Sequence, residues 1–521
     1  MAKTPSDKLY RLIRSLSPAE KRYFRIYIRG KTDRNSKYLH LFSLMSAQET
    51  FDEEFLKSRI YKNRAPEGKK YSELKSYLYN LVLKSLQAFD EQQSIQYKLH
   101  ELLQGVLALY KRGLYEDCRE LLSKASKIAR QYEDFGTLLE IIRWEKQLAY
   151  TRMDVDFLHK NLEQLQFQEE QAFQLLRNNS EYQKIFFQVY TANFKREASP
   201  KSADQMAPLF QLTGQNAILE DPDLARSHKA RVLYYRTLNI YYYATGQYEQ
   251  FYESGEKLMQ LLESQPHFLR ENLADYIATL SNLILSCGLM QRYNEVRIYL
   301  DKLYGLTPIT VDDRRKIHRQ YYSNLFALCS FTGEFEEARR AMARCQEEAE
   351  LISIQGHETA SFYFQYCTIC FGCSDYSGAL DYLNLWLGQP RSVEREDLQS
   401  LARILSLILH FEMGNLMLLE SLTRATARFL QKKNRYQDLE RRFIHFIHDL
   451  TKSHGASEIR AAFQKAKEDL PGLPGYRILL QTFDLEAWLD SKIKGHTFAA
   501  TVQQKWKNEQ LLKTKKEDPR T

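Results

Sequence analysis

The sequence predicts an all-α protein, an α-α superhelix of stacked helical hairpins with an N-terminal helical domain and C-terminal capping helices. Three observations predict it. Only 12 Pro and 20 Gly punctuate 521 residues, which favours long helices joined by short connections. An apolar helix, a small or polar turn residue, an aromatic two residues on and a second apolar helix recur every 40 to 48 residues. Positions counted from that turn residue are apolar in columns, as helix faces packed against neighbours require.

Residues 1–95 read as four or five helices. The second opens at SPAEKRYFRIYI, where Ser17 caps, Pro18 suits the first helical position and Glu20 completes a capping box. The longest is YSELKSYLYNLVLKSLQAFDEQQ, with Leu74, Leu78, Leu81 and Leu86 on one face. This head is basic. Residues 1–85 hold 19 Lys and Arg against 9 Asp and Glu, whereas the whole chain carries only +8, so a slightly acidic body follows.

Residues 96–470 form the array of about nine hairpins. Clear examples are ALYKRGLYEDCRELLSKA, YYYATGQYEQFYESGEKL, ALCSFTGEFEEARRAMARC and HFEMGNLMLLESL. The turn residues are Gly113, Met153, Lys201, Gly246, Gln291, Gly333, Ser374, Gly414 and Ser457, spaced by 40, 48, 45, 45, 42, 41, 40 and 43. Two residues later stand Tyr115, Val155, Ala203, Tyr248, Tyr293, Phe335, Tyr376, Leu416 and Ile459. Five later stand Cys118, Leu158, Met206, Phe251, Val296, Ala338, Ala379, Leu419 and Ala462. The offset of nine adds Leu122, Leu162, Phe210, Leu300, Met342, Leu383 and Ala466, with Gly255 and Thr423 as exceptions. Offsets 2, 5 and 9 share one helix face. A lone hairpin cannot bury such a face, so each is expected to cover the next.

Residues 471–521 follow as a cap: PGLPG interrupts the array, and helices are expected near 476–494 and 498–516.

Gly at the turn, Tyr or Phe two later and Ala five later, as in TGEFEEA and YSGALDY, resemble the tetratricopeptide repeat. The resemblance covers residues 96–470 and implies a concave surface that binds a peptide or protein. The period departs from the family's 34 residues, and in this the array looks like the regulatory arrays of Rap-type and MalT-type bacterial proteins. The Lys and Asn set with which tetratricopeptide domains clamp a chaperone's C-terminal carboxylate is missing. In the same register, the groove-facing side of each first helix includes Arg236, Ile240 and Tyr243 before Gly246, and Ser323, Ala327 and Phe331 before Gly333. A mixed aromatic and apolar groove of this kind suits an amphipathic helix or an extended peptide. Most of the 34 Tyr and 28 Phe are expected to pack between hairpins, leaving a few for the groove.

Other chemistry is sparse. No GxxxxGK[ST] loop, GxGxxG fingerprint, HExxH or GxSxG elbow occurs, so no enzyme, cofactor or metal is expected. CTICFGC (Cys367, Cys370, Cys373) has metal-like spacing without a second CxxC pair. Cys287, Cys329 and Cys370 fall four residues before successive turns, as buried small residues would. His445 and His448 sit three apart on an amphipathic helix, and His410 belongs to the same inner column. Lys57, Arg59, Lys62, Arg64, Lys69 and Lys70 surround a helix–turn–helix in the head and offer an anion-binding surface. Nucleic acid through residues 1–95, with the array sensing a peptide or protein, is therefore the alternative reading, although no recognised DNA-binding signature accompanies the charge. The charged N-terminus has no signal-peptide core, no run of 18 apolar residues occurs, and the seven cysteines lack paired spacing. A cytoplasmic location without membrane attachment is expected, with the oligomeric state left open.

Overall fold

The computed structural model describes residues 6–29, 36–61, 68–90, 94–194, 217–352, 361–388, 396–432, 438–453, 455–473, 476 and 483–517. Among them are 24 α-helices, two short 3-10 turns and no strand. The chain divides into two compact units, one of residues 1–181 with 225–230 and the other of residues 182–224 with 231–521.

The first unit opens with five helices, α1 (Lys8–Ser15), α2 (Pro18–Arg29), α3 (Lys37–Ala47), α4 (Glu53–Tyr61) and α5 (Gly68–Asp90). Helix α2 starts at the capping box: the Ser17 N–H donates to Glu20 Oε2 (2.6 Å) and the Glu20 N–H to Ser17 Oγ (3.2 Å). Phe24 and Ile28 of α2 are buried with Leu41, Phe42, Leu56 and Leu78. Helices α6 (Ile95–Tyr110), α7 (Tyr115–Gln131) and α8 (Phe135–Thr151) enclose another core around Val106, Cys118, Leu122 and Ile141. Helix α9 (Val155–Phe194) follows, and the division between the units falls within it.

The second unit continues with α10 (His228–Thr245, from Arg231 on), α11 (Tyr248–Glu263), α12 (Pro266–Glu271), α13 (Leu273–Leu289), α14 (Tyr293–Tyr304), α15 (Val311–Thr332) and α16 (Phe335–Leu351). Then come α17 (Tyr363–Gly372), α18 (Tyr376–Leu387), α19 (Glu396–Glu412), α20 (Leu416–Lys432), α21 (Asp438–Lys452), α22 (Ala456–Asp469), α23 (Leu485–Lys494) and α24 (Phe498–Glu517). Successive helices pack as neighbours, and α13, α15 and α17 also pack in series. Two cores run through them, one centred on Leu280, Leu283, Phe326 and Tyr366, the other on Phe371, Leu405, Phe463 and Trp488. Met342, Tyr363 and Tyr382 pack against both.

The turns carry the register. Gly113, Met153, Gly246, Gln291, Gly333, Ser374 and Gly414 all have left-handed backbone, with φ between 55° and 78°. At each, the N–H of the next residue donates to the carbonyl four residues before the turn, as Leu114 to Leu109, Arg292 to Cys287, Glu334 to Cys329 and Asn415 to His410 (2.8–3.1 Å). This is the Schellman termination, which satisfies carbonyls that a helix end leaves unpaired. The following helix starts two residues after the turn in every case, at Tyr115, Val155, Tyr248, Tyr293, Phe335, Tyr376 and Leu416. The column of five is buried at Cys118, Phe251, Val296, Ala338, Ala379 and Leu419 and half-buried at Leu158.

One turn position, Lys201, lies outside the described residues, and before it α9 runs as one 40-residue helix through Phe194. No Gly or Pro occurs between Val155 and Phe194 to end it. Leu162, expected on a buried face, is 41% exposed on this helix. Ser457 sits in the first turn of α22, because the extended Gly455 (φ −153°, ψ 155°) caps that helix and Ser453 closes the preceding one.

Candidate protein-binding groove

A cavity of about 740 Å³ in the second unit spans three consecutive hairpins. Tyr243 and Tyr248 come from the α10–α11 hairpin, Leu285, Leu289 and Tyr293 from α13–α14, and Ala327 and Phe331 from α15. The side chains repeat by register: Leu285 and Ala327 stand six residues before their turns, while Ala244, Leu289 and Phe331 stand two before. Helix geometry puts those offsets on one face.

The walls are aromatic and aliphatic. Tyr243, Tyr248, Leu285, Leu289 and Phe331 are each 36–48% exposed, although most large apolar side chains of these helices are buried. Five half-exposed apolar side chains around one hollow form the sort of patch that marks an interaction site. Polar groups are few: the hydroxyls of Tyr243, Tyr248 and Tyr293, with Thr245 and Asn324. Burial, with Glu509 nearby, pushes the Tyr293 hydroxyl up to about 12, so it stays protonated and able to donate. Among the described residues that line the cavity there is no carboxylate, histidine, cysteine, lysine or arginine.

Two glycines shape it. Gly246 makes the first turn at φ 76°, and Gly288 leaves α13 without a side chain where a Cβ would meet nothing within 4 Å. Part of the hollow is thus the missing Gly288 side chain.

Of the groove residues expected from sequence, Tyr243, Ala327 and Phe331 line the cavity together. The other three do not. Arg236 pairs with Asp275 (2.7 Å) and lies over the Phe186 ring (4.8 Å). Ile240, six residues before Gly246, is half-buried, and the Ser323 carbonyl accepts from Gln365 Nε2 (2.9 Å). Arg236 and Ser323 thus make contacts within the chain. Leu285 and Leu289 are not among the residues expected from sequence, and Tyr248 and Tyr293 are expected on the packed helix face and not in the groove. Applying the same offsets to the turn at Gln291 yields Leu285 and Leu289, whereas the two tyrosines come from the starts of second helices.

A second hollow of about 140 Å³ shares Ala327 and Phe331 and is walled opposite by Phe483, Asp484 and Phe498. The C-terminal helix α24 continues from there along the turns. Gln503 Nε2 donates to the Gly333 carbonyl (3.0 Å), and Gln291 Nε2 donates to Glu509 (3.3 Å). Lys505, between Asp484 and Glu486, ties α24 to the start of α23.

The remaining candidate residues lie elsewhere. Cys367 and Cys370 are buried on α17, and the Cys373 thiol donates to the Phe335 carbonyl (3.4 Å). Burial pushes the Cys370 thiol up to about 11 and that of Cys373 to about 12, away from the thiolate that metal ligation needs. Cys329, Glu334 and Glu337 come close together, yet Arg297 pairs with both carboxylates. His445 is exposed and His448 half-buried on α21, and burial holds the His410 imidazole below its ordinary value.

In the head, Lys57 pairs with Glu54 (2.9 Å) and Glu53 (3.6 Å), and Arg59 stacks over the Phe55 ring (5.4 Å). Lys70 is exposed near the start of α5, and Lys69 belongs to that helix. Lys62 and Arg64 lie outside the described residues. No protein-family profile, no curated protein and no solved structure matches the chain.

Proposed function

We propose that this protein is a non-enzymatic interaction scaffold, a tetratricopeptide-like superhelix that takes an amphipathic segment of a partner protein into the cavity between Tyr243 and Phe331. One observation carries the reading: three successive hairpins leave equivalent apolar side chains uncovered around a single hollow whose described lining residues are aromatic, aliphatic and neutral. A volume of about 740 Å³ falls in the range of ligand-binding clefts. The tyrosine hydroxyls and Asn324 would orient the segment, while Leu285, Leu289 and Phe331 take its bulky side chains. Among the described residues no helix is long and apolar enough to cross a membrane, and we place the scaffold in the cytoplasm.

Gly288→Leu tests this directly. The new side chain enters open space from the last turn of α13, so folding should persist and thermal stability should hold or rise slightly. Peptides selected from a displayed library on the full-length protein should be rich in Leu, Phe and Met at helical spacing, and should bind the variant at least tenfold more weakly. Selected peptides that bind both proteins equally, with the fold verified by circular dichroism, would refute the groove.

A further inference from the structure

The basic head of the first unit contains a second surface, different from the segment its sequence draws attention to. Among the described residues of 57–75, Lys57 and Lys75 both pair with Glu53, and Lys57 also with Glu54. Arg11 likewise pairs with Asp7 (3.2 Å). On α2 and the end of α1, in contrast, no ion pair joins Arg14, Lys21, Arg22, Arg25 or Arg29 to a carboxylate among the described residues. The one acid of α2, Glu20, spends its carboxylate on the Ser17 N–H.

The cations share a face. Arg22, Arg25 and Arg29 follow at i, i+3 and i+7 and are exposed, whereas Phe24 and Ile28 on the opposite side are buried. The ridge rises about 10 Å, roughly three base-pair steps of duplex axis. Partial burial, and next the guanidinium groups of Arg14 and Arg25, hold the Lys21 ammonium below its ordinary value. These like charges are close enough to repel, and a bound anion would relieve the repulsion.

We propose that α2 is a docking helix for B-form duplex DNA, with Arg22, Arg25 and Arg29 along the phosphates and groove edge and with Arg14 and Lys21 flanking them. The 12-residue helix is about 18 Å long and narrow enough for a major groove about 12 Å wide. Four of the five cations are arginine, whose planar fork matches phosphate oxygens and guanine edges. Single-stranded nucleic acid fits worse, because Tyr23 and Tyr27 are half-buried and stacked on each other (6.4 Å), leaving no exposed aromatic platform. A-form RNA closes its major groove to a helix. An anionic bilayer fits worse as well, since Ile26 is the only exposed apolar side chain on the ridge and the apolar face of α2 is already used in the core. This inference is independent of the groove in the second unit.

The test uses the full chain and a labelled 25-base-pair duplex of mixed sequence, followed by fluorescence anisotropy across a salt series. The wild type should bind at low salt and lose affinity steeply as salt rises. Arg22→Gln/Arg25→Gln/Arg29→Gln should bind at least tenfold more weakly, with a salt slope smaller by about 2.7 if each arginine neutralises one phosphate. Lys57→Gln/Lys70→Gln should change binding less than threefold. These side chains are exposed or half-exposed, and unchanged melting of both variants would confirm the fold. The proposal is overturned if the wild type does not bind duplex at 50 mM salt, if the triple variant binds as well as the wild type, or if the lysine variant loses as much as the triple. It is equally overturned if phosphatidylserine vesicles or a single strand of the same length retain the protein while duplex does not.

Discussion

Gly246 and Gly333 occupy equivalent turns with nearly equal backbone (φ 76° and 78°), yet their surroundings differ. A Cβ on Gly246 would meet nothing within 4 Å, whereas one on Gly333 would lie 2.8 Å from the Gln503 backbone nitrogen and 3.0 Å from the Ala499 carbonyl. Gly246→Ala should therefore cost only the left-handed conformation, about 1–2 kcal/mol. Gly333→Ala adds an overpacking penalty of about 1–3 kcal/mol, because a backbone cannot swing aside as a side-chain tip can. Urea unfolding of the two variants checks the difference, and equal destabilisation would show that α24 does not rest on that turn. Met153, Gln291 and Ser374 hold the same conformation without being glycine. A search for Gly alone would have missed them, and they became visible through the apolar columns that follow.

At the scale of elements, hairpins are joined by a contact the register explains. Six residues after one turn, a side chain reaches the first residue after the next turn: Arg119 to Asp154 (2.7 Å), Arg297 to Glu334, and Tyr252 under the Arg292 guanidinium (5.3 Å). A double-mutant cycle of Arg297→Met and Glu334→Gln should give a coupling of about 0.2–1 kcal/mol, since both groups are over a third or nearly a third exposed. It should shrink in high salt. A cycle without coupling at low salt would remove the ladder. Helix existence and most turns were legible because period and columns are local signals. The α9 helix is the informative case: the register asks for two helices between the turns at Met153 and Lys201, but the run without Gly or Pro carries one helix from Val155 to Phe194. Long-range caps were also invisible: Glu133, itself left-handed, accepts the N–H groups of His228 (2.8 Å) and Lys229 (3.0 Å), 95 and 96 residues away. Tyr243, Ala327 and Phe331 meet around one cavity because their offsets place them on one face, whereas Arg236 pairs with Asp275, since offset gives a helix face and says nothing about a partner.

At the scale of the whole molecule, the two units pose separate problems of burial, and in the second the C-terminal helices are part of the solution. Phe498 packs against Phe335 (5.5 Å), Phe371 (5.1 Å) and Phe483 (5.4 Å), Val502 is buried, and Gln503 and Glu509 meet turns 170 and 218 residues earlier in the chain. The polar sequence of α24 suggests a helix that ends the array; its contacts make it a strap along the array's turns. Removing residues 498–521 would uncover the Phe335, Phe371 and Phe483 rings and open the smaller hollow beside Phe331. Each aromatic ring left exposed forfeits about 1.5–3 kcal/mol of burial. The truncated chain should thus show a second-unit transition lowered by several degrees and increased binding of an apolar dye, with the first-unit transition unchanged. The excess cost of Gly333→Ala over Gly246→Ala should vanish in the truncated chain, because the atoms it would strike are gone. Calorimetry on the wild type, Gly246→Ala and Gly333→Ala, each with and without residues 498–521, decides the matter. If truncation leaves the second-unit transition in place, or if the excess persists without α24, the strap carries none of the stability assigned to it.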